Sequence, residues 1–357
     1  MKVAIIGAGL AGLSCAHELK KHGIMPDIFE KKDYVGSIST HMVSALKPFD
    51  RTQSDAAALL SSKYGLRLDP AHRLTEIIIK TSREESSAEG NLGHTFLRGM
   101  EPGSLDNQLA SQVSLPITFD KNAVLEDLKR KYDFVVAAPG DGSLAKQLGV
   151  WTTLLNAYVL TATMIGNFKT GSLKLWSNTG YARNCCAYLV PRSEKEAKLV
   201  LVAENSTRSD IEYFWKKFLI DEELNYVINE TMSYEYNLGS VSSLQKENIY
   251  LAGGGAGLTD DFLGFGMFNR IESGILAARA IALDMDYTGL MEPVLSRIKK
   301  SNLLRETAMD ASSNDFDRLV VLFGLSPIRK LICGNPEARA KKYVLAPRFH
   351  SNSKQNS

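Results

Sequence analysis

The chain has 357 residues, 44% hydrophobic and 23% charged, and its 42 Lys and Arg against 40 Asp and Glu leave a net charge of +2. At roughly 150 residues per domain this predicts two domains with a substantial core, and the near balance of charge argues against a disordered chain or a general nucleic-acid binder. The four cysteines (Cys15, Cys185, Cys186, Cys333) are too few and too scattered for a disulfide scaffold or a CxxC metal site, so no metal is expected and a reducing, cytoplasmic setting fits.

Residues 2–6 are a short apolar run, as in a buried parallel strand. Gly7, Gly9 and Gly12 then turn the chain into a helix over 13–22, with Leu13, Ala16 and Leu19 on one face and Gly23 in the left-handed cap position. The same stretch resembles a secretory leader, but the regular glycines and the following His17 and Glu18 favour a folded unit. A second strand follows over 26–30. The pattern then predicts a helix over 50–64, strands over 74–82 and 93–97 with a polar loop over 82–91, and a helix over 104–113 capped by Ser104. A short strand (117–119), a charged helix (124–131) and a buried strand (132–138) lead into Pro139 and Gly140. Between 151 and 207 the β-rich stretches 158–165, 186–190 and 199–203 predict an antiparallel sheet in a separate lobe. A helix over 209–229, a strand over 248–252, a glycine-rich stretch over 253–266 and a helix over 268–284 with small residues on one face complete the pattern. Beyond 287 the chain reads as helical, with a frayed tail from 350. The apolar run over 154–166 is too short to span a bilayer.

The spacing Gly7-x-Gly9-x-x-Gly12 between strand and helix has a physical reading. Gly7 permits the tight turn, Gly9 lets the backbone approach a pyrophosphate with no Cβ in the way, and Gly12 allows close helix–strand packing. Ala8, Leu10 and Ala11 complete the loop, where the helix N-terminus offers N–H groups and partial positive charge to an anion. Glu30, eighteen residues beyond Gly12, is placed to accept hydrogen bonds from a ribose diol. A second glycine-rich strand–loop–helix unit returns near residue 253. FAD is a long cofactor whose ribityl chain and ring need a second loop, so FAD rather than NAD is expected.

Four stretches resemble the geranylgeranyl reductase-like branch of the FAD-dependent oxidoreductases, within the aromatic-hydroxylase flavoprotein superfamily. They are Gly7 to Gly12 with Glu30-Lys31; Phe96-Leu97-Arg98-Gly99 ahead of the helix holding Gln108-Leu109; the apolar strand ending in Pro139-Gly140, with Ser143 and Gly149 beyond; and residues 253–278, with Gly264-Phe265-Gly266 and Glu272-Ser273-Gly274. Residues 186–191 also resemble the family's substrate-sheet Pro motif. The resemblance spans residues 1–285. It implies an α/β fold: a Rossmann-like FAD-binding domain (1–150 and 240–285), an inserted antiparallel β-sheet substrate lobe (151–239) and a helical C-terminal region (286–357). It also implies that Glu30, Lys31, Arg98 and Gly140 join the first loop in binding FAD, and that Gly264, Phe265 and Gly266 line the flavin edge through backbone N–H groups. Two departures stand out. Gly254 occupies the position of the family's ribityl-binding aspartate and Asp261 that of its proline, so either Asp260 or Asp261 substitutes or the ribityl contact is made by backbone alone. The cysteine that some isoprenoid reductases carry after the second strand is missing from residues 36–41.

The expected function is that of an FAD-dependent oxidoreductase on an apolar substrate, foremost the reduction of carbon–carbon double bonds in an isoprenoid or lipid, with an external electron donor. Mono-oxygenation and flavin binding without turnover remain alternatives; a halogenase is disfavoured by the lack of a Trp-x-Trp-x-Ile-Pro segment. No catalytic residue is assigned. Histidine is the side chain suited to proton transfer near neutrality, which makes His41 a candidate general acid, but the sequence alone points to no second group for it, and its simpler reading is structural or exposed. Tyr181, Tyr188 and Cys186 are candidates for the substrate face, and Arg183 for a substrate head group, with core packing the simpler reading of the first three. Residues 318–357 carry eight Lys or Arg and one acidic residue among apolar side chains, which suggests peripheral membrane contact against the simpler reading of a solvated surface.

Overall fold

The computed structural model describes residues 1–37, 40–46, 56–82, 84–259 and 266–310, and two sheets organise them. The first has the order Gln245–Lys246 (β13), Ile249–Leu251 (β14), Phe134–Ala137 (β7), Val3–Ile6 (β1), Asp27–Phe29 (β2), Ile117–Thr118 (β6). All its pairings are parallel except β13 with β14. The chain therefore runs outward from β1 in one direction through β2 and β6, and in the other through β7 and β14. This is the doubly wound order, whose reversal between β1 and β7 opens a crevice beyond the strand ends.

Helices cover this sheet. The first, Leu10–Lys21 (α1), starts three residues earlier than the sequence pattern predicts, so Gly12 lies inside it. It packs against Met267–Leu283 (α8). There the small residues expected on one face let the backbones meet: a Cβ at Gly274 would lie 2.0 Å from the carbonyl oxygen of Ala11. The Ser14 hydroxyl ties the two helices by donating to the Ile271 carbonyl at 2.9 Å.

The second sheet has eight strands, in the order Val227–Val241 (β12), Trp151–Ile165 (β8), Glu196–Glu204 (β11), Ala187–Pro191 (β10), Ser172–Ser177 (β9), His72–Thr81 (β4), Glu85–Arg98 (β5), His41–Leu46 (β3). It is antiparallel apart from β4 with β9. It draws strands from both sides of residue 150, and it curls, because β3 at one edge packs near β10. Leu160, Leu199, Leu201 and Ala203 on its outer face meet Ile211, Trp215 and Phe218 of Arg208–Asp221 (α7). Those three recur at helical spacing on one face, and Thr207 with Asp210 closes the start of α7 as a capping box.

Two expectations about elements are corrected, and one strand falls where no element is expected. The helix expected to reach residue 229 stops at Asp221, and Val227–Val241 is instead a strand, its Tyr234, Tyr236 and Leu238 alternating on one face. The polar stretch expected as a loop over 82–91 largely continues β5, where an edge facing water needs no apolar alternation. The strand β3 was not expected at all.

Candidate cofactor and substrate site

The first glycine-rich loop follows β1 into the crevice. Gly7 has φ +102°, in the region that favours glycine, and a Cβ there would lie 2.5 Å from the Ala138 carbonyl oxygen at the end of β7. A Cβ at Gly12 would sit 1.9 Å from the Gly7 carbonyl oxygen. At Gly9, by contrast, an added Cβ would meet nothing within 4 Å. The first and third glycines are thus demanded by the protein's own backbone, and the second leaves space above the loop. Helix α1 starts at Gly9 without a side-chain cap and with no acidic residue in its first turn, so its first N–H groups face that space with no protein acceptor from a cap.

Glu30 is buried at the end of β2. Its carboxylate accepts from the Ala8 N–H at 2.8 Å and the Lys32 N–H at 3.1 Å. It braces the loop from below, and the carboxylate's remaining lone pairs are left for a further donor. Lys31 lies on the exposed rim, 3.8 Å from Asp141, the residue after Gly140.

The second glycine-rich loop, the 3-10 turn Gly253–Ala256, seats directly on the same spot. The Gly255 N–H donates to the Pro139 carbonyl at 3.0 Å, and the Gly253 N–H to Ser273 Oγ at 2.9 Å. A Cβ at Gly253 would lie 2.7 Å from that of Ala11, and one at Gly254 would lie 2.5 Å from the Gly140 carbonyl oxygen. The absence of an aspartate at 254 therefore has a steric reason: the backbone of Gly140 occupies the room a side chain would need. Asp260, Asp261, Gly264 and Phe265 lie outside the described residues, while Gly266 is buried at the start of α8.

Arg98, at the end of β5, is held by Asp106 of Leu105–Val113 (α3) through hydrogen bonds of 2.7 and 3.0 Å. Asp106 also accepts from the Gly99 N–H, and its carboxylate lies where a Cβ at Gly36 would be 2.2 Å from Oδ-bearing Cγ. Sequence reasoning missed Asp106, although an acidic residue in the first turn of a Ser-capped helix is a legible signal. It also missed Arg270 of α8, whose guanidinium donates to Thr259 Oγ1 at 2.6 Å while its buried Nε has no hydrogen-bond partner among the described residues. Burial lowers the Arg270 pKa, Tyr236 opposes the shift, and Arg98 adds to it. Tyr236 of β12 and Arg98 of β5 are both in the second sheet, so Arg270 of α8 faces that sheet. His41 lies opposite Arg98 across the β3–β5 ladder.

The inner face of the second sheet is set by strand register. Tyr188 stands beside Val200, which stands beside Thr161, and Tyr234 and Tyr236 stand beside Val159 and Ala157. Cys186 and Tyr188 are both half-buried on this face, and burial pushes the Cys186 thiol up to about 12 and the Tyr188 phenol up as well. Tyr181 follows its simpler reading: it is packed in the core on the opposite face against Phe218, its hydroxyl donating to Glu222 at 2.9 Å. Arg183 stacks on Phe214 and donates to the Asn205 carbonyl, so it does not face this side.

The sequence profile of the NAD(P)-binding Rossmann-like domain matches residues 5–64. A protein of Mycobacterium tuberculosis named as a flavin-containing monoamine oxidase, AofH, is 32% identical over 104 residues, which is 28% of this chain and 23% of that protein. The chain thus spans about a quarter of that relative's length. A geranylgeranyl bacteriochlorophyll reductase-like protein of Thermoplasma acidophilum superposes with a TM-score of 0.71 over 96% of this chain and 98% of its own, at 14% identity. The flavin-dependent brominase Bmp2 superposes with a TM-score of 0.62 over 97% of this chain and 93% of its own, at 15% identity. The doubly wound sheet, the curled second sheet and these likenesses agree, and the chain has the fold of the FAD-dependent oxidoreductases, opened by an NAD(P)-binding Rossmann-like unit.

Proposed function

We propose that the protein is an FAD-dependent oxidoreductase whose substrate is largely apolar, and that its reaction is the reduction of carbon–carbon double bonds in an isoprenoid or similar lipid. The observation that carries the cofactor is the meeting of two glycine-rich loops at the sheet's switch point, with open space above Gly9 and none at Gly7, Gly12 or Gly254. FAD, when bound, supplies the electron chemistry. The first turn of α1 and Gly9 hold the pyrophosphate, and Glu30 accepts from the ribose. Arg98 offers the N–H groups that Asp106 leaves over, and Lys31 and Gly140 form the rim. Arg270 brings a fixed positive charge to the second loop, and an Nε without a hydrogen-bond partner among the described residues. Gly264, Phe265 and Gly266 remain the proposed lining of the flavin edge.

The face bearing Cys186, Tyr188, Tyr234 and Tyr236 supports the apolar substrate, since desolvation raises both Cys186 and Tyr188 although neither is fully covered. Among the described residues no helix is long and apolar enough to cross a membrane. Residues 318–357 lie outside the described residues, and a peripheral membrane contact through them would give access to a lipid.

The test starts with the purified protein. It is expected to be yellow and to release FAD, not FMN, on denaturation. After anaerobic reduction with dithionite, a polyprenyl lipid is expected to reoxidise the flavin and emerge with fewer double bonds. A colourless protein that takes up NAD but no FAD overturns the cofactor. A reduced flavin indifferent to polyprenyl lipids overturns the reaction.

A further inference from the structure

Strand β12 meets the second glycine-rich loop near its own C-terminal end. A Cβ at Gly257, just past the 3-10 turn, would run into the Gly239 carbonyl oxygen, and one at Gly239 would run into the Trp151 ring. The backbones of strand and loop therefore touch, and the break in register between Leu238 and Gly239 bends β12 at that point. Tyr236 precedes the contact by three residues, about 10 Å at the usual strand rise. It stands beside Ala157, on the face that carries Val202 and Cys185. Tyr236, Tyr234 and Val202 are half-buried, whereas Val159 and Val200 are each 3% exposed. The inner face is thus open at the end nearest the cofactor loops and closed beyond it.

Arg270 faces this opening from α8. It lies one helical turn beyond Gly266, whose carbonyl accepts its N–H at 3.0 Å, and a Cβ at Gly253 would lie 4.0 Å from that of Arg270. Its guanidinium bonds Thr259 Oγ1 at 2.6 Å and also the Tyr236 hydroxyl. A guanidinium only donates, so the Tyr236 oxygen accepts and the phenol keeps its own proton to offer. Asp106 also acts on Arg270, but its carboxylate is already bound edge-on to Arg98. A cation beside a phenol stabilises the phenolate left when the proton departs. Cys186 and Tyr188, on the same face, are raised by burial and then by acidic neighbours, and a proton leaving either would strand a desolvated anion. Tyr236 differs in having the counter-charge already in place.

We propose that Tyr236 is the proton donor of the reaction and that Arg270 is the positioning residue that aims it and holds its phenolate. This rests on the double-bond-reduction reading above, which needs two hydrogens of different origin. One carbon of the double bond receives a hydride from the reduced cofactor, and the π bond breaks. The electron pair released at the other carbon takes the Tyr236 proton, and the O–H bond breaks with its electrons left on oxygen. The phenolate, held by Arg270, regains a proton from water at the open end of the face.

The experiment mixes the holoprotein, reduced anaerobically with one equivalent of dithionite, with a polyprenyl lipid or with ferricyanide, which takes electrons without a proton reaching carbon. The parent is expected to be reoxidised by both, and only the lipid reaction should slow in heavy water. Tyr236→Phe should slow the lipid reaction at least about 100-fold, in kcat rather than KM, and leave the ferricyanide rate and FAD content unchanged. A second readout needs no turnover. The ultraviolet phenol titration of the parent minus that of Tyr236→Phe isolates the Tyr236 hydroxyl, and the same difference in an Arg270→Met background, saturated with FAD, should lie at higher pH. If Tyr236→Phe reduces the lipid at the parental rate, the proton-donor assignment falls and the double-bond reading stands. If it slows both oxidants alike, sheds FAD or raises KM alone, Tyr236 is structural and the assignment falls. A titration that Arg270→Met leaves in place removes the role of Arg270. If ferricyanide reoxidises the parent and the lipid does not, the double-bond reading falls and takes the donor with it.

Discussion

The Arg98 guanidinium faces the Asp106 carboxylate edge-on, Nε to one oxygen at 2.7 Å and a terminal nitrogen to the other at 3.0 Å, with Asp106 fully buried. This paired geometry fixes the direction in which the remaining N–H groups of Arg98 point. Removing the carboxylate strands a buried cation near a second one, Arg270. Asp106→Asn is expected to lower stability by about 3 to 5 kcal/mol, read as a lower urea midpoint. Arg98→Met should cost a similar amount and also weaken FAD retention; an unchanged midpoint in both variants would show that the pair holds nothing in place.

The glycines separate folding from ligand binding. Gly9→Val is expected to fold with the thermal stability of the FAD-free parent, since a Cβ there meets no protein atom, yet to lose FAD on gel filtration. Gly254→Asp, which restores the acid that the family carries, should instead misfold, because its Cβ would clash with the Gly140 carbonyl oxygen at 2.5 Å. Circular dichroism and flavin absorbance on the two variants check both halves.

Glu18 gives the fold an acid-sensitive joint. Burial pushes its carboxyl up, but hydrogen bonds from Arg279 of α8 at 2.6 Å and Lys21 at 3.1 Å reverse this and leave it below the ordinary value of 4.5. The unfolded chain then binds this proton more readily than the folded one. The stabilisation is present in full above about pH 4.5 and is lost as the pH falls through the lower folded value. Glu18→Gln is expected to cost about 2 kcal/mol at neutral pH. Denaturant titrations at decreasing pH should show the gap to the parent closing in the acid range and remaining constant above it.

Cys186 should be a poor nucleophile. With its thiol pushed up to about 12 by burial, little thiolate exists at neutral pH. Iodoacetamide at pH 8 is expected to leave Cys186 unmodified in the folded protein and to label it after unfolding, as read by mass spectrometry of the peptides. Rapid labelling of the native protein would contradict the apolar character of the inner face.

Much of the cofactor end is local in sequence, and so was legible. The Gly7, Gly9 and Gly12 spacing, the acidic end of β2 and the Ser104 cap each sit within one strand–turn–helix unit, where spacing alone carries the geometry. The substrate end is set by pairing between distant strands. Alternation puts Cys186 and Tyr188 on one side, but only the register with β11 and α7 reveals which side is lined by Phe218 and which by Val200. That is why alternation alone left the substrate face and the core as open readings of Tyr181 and Tyr188, which the register separates. Of the strand over 227–241, residues 227–229 were read as the end of a helix and the rest as no element for a related reason, since its exposed Glu230 and Glu235 break the apolar pattern.

The parallel pairing of β4 with β9 sets Glu76 beside Ser172 and Thr81 beside Ser177, across roughly 100 residues of intervening chain. During synthesis at about 5 to 20 residues per second, β4 waits about 5 to 20 s for that partner while the intervening Rossmann strands emerge. In that interval the hairpin of β4 and β5 offers a bare strand edge, with Ile77 and Ile79 beside it, to any other nascent chain. The nascent protein thus has a built-in window of vulnerability to aggregation, which closes when β9 docks and seals the edge.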